Sequence, residues 1–453
     1  MKRLFTSIAL ASLAVVSFAG GLLTNTNQSA SFVRNPARYA SLSTDAIYFN
    51  PAGTAFFEDG WSFSANWQMI WQQRDAINLV NNQKYDGKVY VPCMPTLFAA
   101  YKTGDWTFSG FFGMPGGGGK AEFDGGLPLF NNLIGSLGAN LGSMAPVPMT
   151  ITGASQFEST QYLFALQLGA AYRINDNLSA YAGVRGNYVS NNYQGTIKAI
   201  ADLSAVGMGN LDVMTVNLDM DQSGIAFAPI VGVDYKIGNF NFAAKYEFRA
   251  VTSIENSNDN PKIADIKANA ALDELVPGMS SMIEGAAGAG LGGKLGGFKD
   301  GNTLRADAPA ILTLAGSWQI IPRLQVMAGW NYYFDKDAKI ESLMGGDNMK
   351  KLSRNTIEYL CGAEFKVTDK FLVSAGIQYS NFGINDNYTS DLGFINDSFM
   401  TGVGGKYSIS EKVDINFGYC YANYAPDNCK NDYGLTRYER KTHNASIGVD
   451  FRI

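Results

Sequence analysis

Few side chains in this sequence are equipped to make or break bonds. His443 is the only histidine in 453 residues, so multi-histidine metal centres and most nucleophile–base–acid triads lack their parts. With Asn444 and Ser446 beside it, a lone-histidine hydrolase stays open against the plainer reading of a structural or rim histidine. The run Gly288-Ala289-Gly290-Leu291-Gly292-Gly293-Lys294 matches a dinucleotide fingerprint and most of a phosphate loop. Leu295 stands where a hydroxyl would hold magnesium and no strand leads in, so nucleotide binding is rejected. Cys420 and Cys429 could pair in an oxidising compartment, whereas Cys361 falls on an apolar strand face. Carboxylates in Asn385-Asp386-Asn387 and between Asp427 and Asp432 could hold a cation or be solvated loop tips. No cofactor is called for, and the chain does not read as an enzyme.

The charged residues are better suited to recognition. A net charge of −5 argues against a nucleic-acid partner, which needs basic surface. Arg185, Lys245 and Arg249 fall on the polar face of alternating segments, as do Lys366 and Lys406. A cation paired with an anion tolerates a low dielectric, so these residues could meet a ligand's carboxylate. They could equally pair with Glu247, Glu364 and acids nearer the N-terminus.

What positions these residues is a pattern of period two. Phe371, Val373, Ala375, Ile377 and Tyr379 alternate with Leu372, Ser374, Gly376, Gln378 and Ser380. The same holds from Val413 to Ala422 and from Phe240 to Arg249. Successive strand side chains point to opposite faces, so each segment has an apolar face and a polar or small one. Charged residues are only 17%, aromatics reach 13%, and there are 50 glycines, a composition suited to a sheet facing lipid. An aromatic, any residue, then Ile or Val recurs just before short turns: Tyr172-Arg173-Ile174, Tyr235-Lys236-Ile237, Trp318-Gln319-Ile320, Phe365-Lys366-Val367 and Tyr407-Ser408-Ile409. Phe451-Arg452-Ile453 repeats it and Tyr101-Lys102-Thr103 is a weaker copy. Each aromatic keeps the apolar parity of its strand, as an interfacial girdle requires.

Short turns alternate with long polar connections at 74–88, 115–160, 191–221, 254–305, 336–352, 384–397 and 425–437. This asymmetry is that of an outer-membrane barrel with its short turns in the periplasm, and roughly fourteen strands can be counted. The expected class is therefore all-β, a transmembrane antiparallel barrel spanning 61–453. Lys2 and Arg3 before an apolar stretch, with Ser17-Phe18-Ala19 after it, make 1–19 a signal peptide cut after Ala19. No later apolar run is long enough for a membrane helix. Localisation in a Gram-negative outer membrane follows, with outer-membrane lipid and the barrel-assembly machinery as partners. Segment 20–60 lacks a strand-like run and is placed to plug a lumen too wide for wall side chains to fill. Two long connections carry apolar residues at helical spacing. One has Leu127, Phe130, Leu133, Ile134, Leu137 and Leu141. The other has Ile266, Ala270, Leu275, Met279, Met282 and Ile283.

The plug segment holds Ser43-Thr44-Asp45-Ala46 leading into Asn50-Pro51-Ala52-Gly53. With the signal peptide, the strand number and the two apolar loops, it resembles the long-chain fatty acid transporter family of outer-membrane proteins (FadL-type, with aromatic-hydrocarbon relatives). An earlier Asn35-Pro36-Ala37 competes for the alignment, but the later motif has the better flanks. The resemblance implies an N-terminal hatch and passive uptake of hydrophobic compounds such as fatty acids or hydrocarbons. It implies an apolar groove among the outer loops, here Leu127, Phe130, Leu133, Ile134 and Leu137 with Leu275, Met279 and Met282. It also implies a sideways exit where the third strand kinks, here near Gly110, Gly113 and Pro115, with Asn50 bonding backbone groups the kink frees. Competing readings are a general porin, which would want an open charged eyelet, and a structural or adhesive barrel.

The orientation is testable on intact cells. Protease added from outside should cut only within the long connections, and cleavage at Asn175 to Asn177 would invert the topology.

Overall fold

The computed structural model describes residues 23–128, 150–204, 207, 209–257, 264–275, 277–292, 300–341, 346–386, 388–389, 391, 394–431 and 434–453. The expected signal peptide lies outside them. Among the described residues the alternating segments form one antiparallel sheet of seventeen strands. β1 (Gly60–Asn78), β2 (Gln83–Thr103), β3 (Trp106–Phe123), β4 (Thr150–Arg173), β5 (Leu178–Asp202), β6 (Asn210–Ile237) and β7 (Phe240–Glu247) build the first half of a wall. β8 (Ser253–Ser257), β9 (Ala264–Ala268) and β10 (Thr303–Arg305) are short strands in the excursion that follows. β11 (Ile311–Ile321), β12 (Leu324–Tyr333), β13 (Thr356–Lys366), β14 (Phe371–Asn381), β15 (Ser398–Ser410), β16 (Val413–Asn431) and β17 (Gly434–Arg452) complete the wall. Setting the three short strands aside from the seventeen leaves fourteen, the number expected. β17 pairs with β1 from Arg452↔Ser62 to Thr436↔Asn78, which closes the barrel.

Polarity is inverted relative to a water-soluble sheet. In β14, Val373, Ala375, Ile377 and Tyr379 are exposed while Leu372, Ser374, Gly376, Gln378 and Ser380 are buried. The outer face is thus apolar and suited to lipid, and the inner face is polar. The girdle aromatics Tyr101, Tyr172, Tyr235, Trp318, Phe365, Tyr407 and Phe451 are all outward, between 38% and 46% exposed. His443 is on the same outer face, its Nδ1 2.7 Å from the Tyr419 hydroxyl.

Several connections expected as loops prove to be strand. β1 and β2 leave only a short hairpin between them, β5 and β6 continue well past Asn191 and Asp221, and β16 and β17 run through most of 425–437. Beyond the lipid both faces of a strand meet water, so alternation fades there while ladder pairing continues. Cys420 and Cys429 lie on this long β16, nine positions and roughly 30 Å apart at the usual strand rise. They cannot pair with each other, and both are free.

The lumen is filled by the segment before β1. Its pieces are α1 (Ala30–Arg34), α2 (Ala46–Phe49) and a 3-10 turn (Pro51–Phe56). Ser29 caps α1, its Oγ accepting from the Phe32 N–H at 2.9 Å, one of the donors a helix start leaves free. Phe32 stacks on Phe49 at 5.0 Å between ring centroids, Tyr39 and Tyr48 pack edge-on, and Tyr48 reaches Phe111 of the wall at 4.7 Å. Ion pairs tie this core to the opposite wall. Glu364 of β13 receives Arg34 at 2.7 Å and Arg38 at 2.8 Å, and Arg38 also meets Asp45 at 2.9 Å. Burial opposes the charge on Arg38, yet the Asp45 and Glu364 carboxylates more than offset it and raise its pKa.

In the excursion, α3 (Leu272–Leu275) and α4 (Met279–Gly292) take the place of the second of the two expected helical segments. Ile266, read as part of that helix, instead lies in β9, opposite Val216 of β6. The nucleotide-like glycines Gly288, Gly290 and Gly292 belong to α4, so the described part of that run is helix and not a strand-to-loop cradle.

Removing one member of a buried ion cluster strands the others, at about 3–5 kcal/mol. Arg38→Ala should therefore lower the unfolding midpoint of the detergent-solubilised protein strongly. Arg437→Ala, at a half-exposed pair with Glu439, should change it little.

Candidate functional site

The β2–β3 ladder is interrupted. Pairing runs from Thr103↔Trp106 to Leu97↔Phe112, stops, and resumes only at Val89↔Ala121. Both strands carry the chemical cause. On β2, Pro92 and Pro95 have no N–H to donate, and the register against β1 slips between Gln68 and Ile70. On β3, Pro115 is followed by Gly116 to Gly119, and the register against β4 slips at Gly113/Gly116 and again at Gly117/Gly119. Gly117 has φ +106° and Gly119 φ +72°, conformations that other residues rarely adopt. A Cβ on Gly117 would also sit 2.5 Å from the Gln161 carbonyl oxygen.

Freed backbone groups in a membrane wall need partners. Gln28 supplies one from inside, its Nε2 donating to the Met114 carbonyl of β3 at 2.9 Å, while its own carbonyl accepts from the Thr96 side-chain hydroxyl of β2 at 2.6 Å. Gln28 thus spans both margins of the interruption. On the lipid side Trp67 Nε1 donates to the Pro92 carbonyl at 3.0 Å. The rest of the leading strap is fixed across the lumen. Asn27 and Gln68 bond each other, and Asn25 N–H donates to Glu358 at 3.0 Å while its Nδ2 reaches Ser398 and Tyr424.

Behind the interruption lies a cavity of about 110 Å³. Its lining includes Ile70, Val91, Met94 and Met114, the strap from Thr24 to Gln28, Pro115 to Gly119, and Arg440. It joins an apolar wall to a polar end beside a break in the sheet.

Of the residues expected to form the gate, Pro115 lies in the break and Gly113 at its edge, where a Cβ would be 2.8 Å from Gln28 Oε1. Gly110 is regularly paired with Ala99 and Leu168 and is outside it. Asn50 is not at the kink. Its Nδ2 donates to the Ser41 carbonyl at 3.1 Å and to Asp234 of β6 at 2.5 Å. Pro51 opens the 3-10 turn, whose Ala52 and Thr54 carbonyls accept from Ser179 of β5 and Thr107 of β3. Gly53 is required because a Cβ would press on Asn50 and Leu42. The Asn-Pro-Ala-Gly motif therefore anchors the plug at the short-turn end, and Gln28 has the place expected of Asn50.

The lumenal cations are also engaged. Arg185 binds Glu247 at 2.6 Å and lies 4.5 Å from the Tyr48 ring. Lys245 binds Glu247 at 2.7 Å and the Tyr48 carbonyl at 3.0 Å. Both hold the plug. Arg249 is exposed and bonds the Asp337 carbonyl, because β7 ends at Glu247 and the alternation that placed it inward ends there too. Of the groove residues, Leu127 and Met279 are buried and Met282 is 51% exposed. Leu275 ends α3. Phe130, Leu133, Ile134 and Leu137 lie outside the described residues. Sequence reading missed Pro92 and Pro95, although proline inside a strand pattern is itself a sign of lost pairing. Gln28 carries no such local sign.

The family model described as outer membrane protein transport protein (OMPP1/FadL/TodX) matches residues 135–449, more than half of the chain. No curated protein matches. Among solved structures, a Pseudomonas aeruginosa FadL homologue is similar with a TM-score of 0.65 and 16% identity, covering 96% of this chain and 99% of that one. The Pseudomonas putida toluene transporter TodX follows at 0.59 and 14%, covering 98% and 99%. The Ralstonia pickettii toluene transporter TbuX gives 0.54 and 14%, covering 91% and 94%. At these identities the likeness is one of fold.

Gly117→Ala tests the origin of the kink. Strain at a positive φ should cost more than about 1 kcal/mol, read as a lowered unfolding midpoint. Gly125→Ala, where a Cβ meets nothing within 4 Å, should leave the midpoint in place.

Proposed function

The chain belongs to the outer membrane protein transport protein family (OMPP1/FadL/TodX), a family of outer-membrane transporters of hydrophobic compounds, and we propose that its own cargo includes long-chain fatty acids or similarly lipophilic molecules. The cargo is captured among the outer loops, by Leu127, Phe130, Leu133, Ile134 and Leu137 with Leu275, Met279 and Met282. It passes to the lumenal cavity and leaves sideways through the β2–β3 interruption. The observation that carries this reading is the coincidence of the interruption, the cavity behind it and the single residue, Gln28, that spans its margins. A hydrophobic molecule gains nothing by entering a watery periplasm, whereas release into the bilayer keeps its apolar surface out of water. Movement of the strap at Gln28 opens the path, while the ion pairs at Glu364 and Glu247 keep the body of the plug in place. The buried plug also speaks against a general porin, whose lumen must be open.

The experiment is a reversible lock. In a Cys93→Ser background, Gln28→Cys with Thr96→Cys should form a disulfide that blocks uptake of a fluorescent fatty acid, and a reductant should restore it. Normal uptake by the oxidised protein would route the cargo down the barrel axis instead. Capture is tested separately by Phe130→Asp with Met282→Asp, which should reduce surface binding of the same probe without reducing the yield of folded barrel.

A further inference from the structure

The wall has a second place where two strands part. β6 pairs with β7 from Ile237↔Phe240 to Ile230↔Glu247 and next meets a neighbour at Ser223↔Glu255 of β8. Between these points, over residues 224–229, one backbone bond to a described residue remains on that side, from the Phe248 N–H to the Pro229 carbonyl at 2.9 Å. Pro229 has no N–H to return it. Alternate residues of a strand direct both backbone groups to the same side. Phe227 and Ile225 therefore aim theirs at this seam, where no described residue meets them. The facing chain has turned away. Phe248 and Arg249 are both exposed, a bulge across which the register moves by one residue. Beyond it Ala250 and Ala308 exchange bonds at 3.1 and 3.0 Å, and the Thr252 carbonyl accepts from the Ala306 N–H at 2.9 Å. Phe227 and Ile225 are left 65% exposed, whereas large apolar side chains elsewhere in the described wall strands reach at most 54%.

The two breaks stand at one height. The β3 slips between Gly113 and Gly119 face Ala165 to Gln161 of β4, which face Asn187 to Asn191 of β5, which face Ala226 to Gln222 of β6. The β4–β5 and β5–β6 ladders cross this height without a slip, so β3 to β6 form a panel with an incomplete seam on either side. A closed wall has no free edge, and while its other ladders stay paired its girth is fixed. The β2–β3 gap can then widen only where another gap can narrow. We propose that the β6 seam is that reserve: the panel moves toward residues 250–254, the β6 seam zips shut, and the β2–β3 interruption widens in exchange. The register of Ser223↔Glu255, continued downward, sets Ile225 opposite Ser253 and Phe227 opposite Val251, and all four are outward and exposed. Zipping starts at Gly224, where the two backbones already touch and a Cβ would collide with the Ser253 carbonyl oxygen. Bonds gained at Ile225 and Phe227 offset the one lost when Gln28 releases Met114, so the wall has two arrangements close in energy. This inference rests on the lateral route proposed above and adds the movement that opens it.

The test is a cross-link in the far seam. Facing residues of an antiparallel pair have Cα atoms about 4.5–5.5 Å apart, within a disulfide's reach. Phe227→Cys with Val251→Cys, in a Cys93→Ser/Cys361→Ser background, should therefore trap the zipped seam when oxidised. Uptake of the fluorescent fatty acid should then run about two- to ten-fold faster than in the same protein reduced, the gain expected when one net hydrogen bond biases a two-state equilibrium. Pro229→Val, which returns the missing donor, should move the rate the same way. Hydrogen exchange on the unmodified full-length protein gives a second reading. Adding dodecanoate should slow exchange at residues 224–229 and quicken it at 91–96 and 113–118. Unchanged or slower uptake on oxidation overturns the proposal, as does exchange that moves in one direction at both seams or at neither. The Gln28→Cys/Thr96→Cys lock separates the two readings. If that lock blocks uptake while the far cross-link does nothing, only the reserve has failed. If the lock itself does not block uptake, the lateral route has failed and the reserve with it.

Discussion

Backbone groups inside a bilayer have no water to turn to, and that constraint organises this molecule. It forces the strands to close on themselves through β1 and β17. It also makes the one stretch where β2 and β3 part company expensive. Two prolines on β2 reduce the cost by removing donors that would otherwise be stranded. Gln28 and Trp67 meet part of the remainder by donating to the Met114 and Pro92 carbonyls. The break is therefore a built feature, with chemistry on both strands, on the lipid side and on the lumen side.

The plug is held in two different ways. Its body is fastened by buried ion clusters at Glu364 and Glu247 and by an aromatic core around Phe32, Phe49 and Tyr48. Its leading strap is fastened mostly by single hydrogen bonds between neutral groups, at Asn25, Asn27 and Gln28. Neutral hydrogen bonds contribute about 0.5–1.5 kcal/mol each, and a buried ion cluster resists disruption far more. The part of the plug nearest the break is thus the part most easily displaced.

What could be read from the sequence was what is local. Alternation, girdle triplets and short turns reveal the barrel because each depends on residues a few positions apart. Apolar spacing found α4 for the same reason. The loops at 74–88 and 191–221 were misjudged because strands in water lose the alternation that marks them. Arg249 was misplaced because parity was carried past the end of β7. Asn50 was assigned to the wrong wall because a motif states that something is anchored without stating where. The partners of Arg185, Arg38 and Gln28 lie on strands far away in sequence, and composition alone cannot choose among them.

The strap has a further consequence for how the molecule is made. Asn25 is bonded to Glu358, Ser398 and Tyr424, residues that follow it by 333, 373 and 399 positions. Asn27 meets Gln68, which in turn meets Asn444. The earliest part of the described chain can therefore reach its final position only after the latest strands are in place. Contacts of such long range are slow to form because the loop must close before they reward it. Maturation of the lumen is thus a late step of assembly, and a barrel whose wall has zipped shut is not yet a filled one.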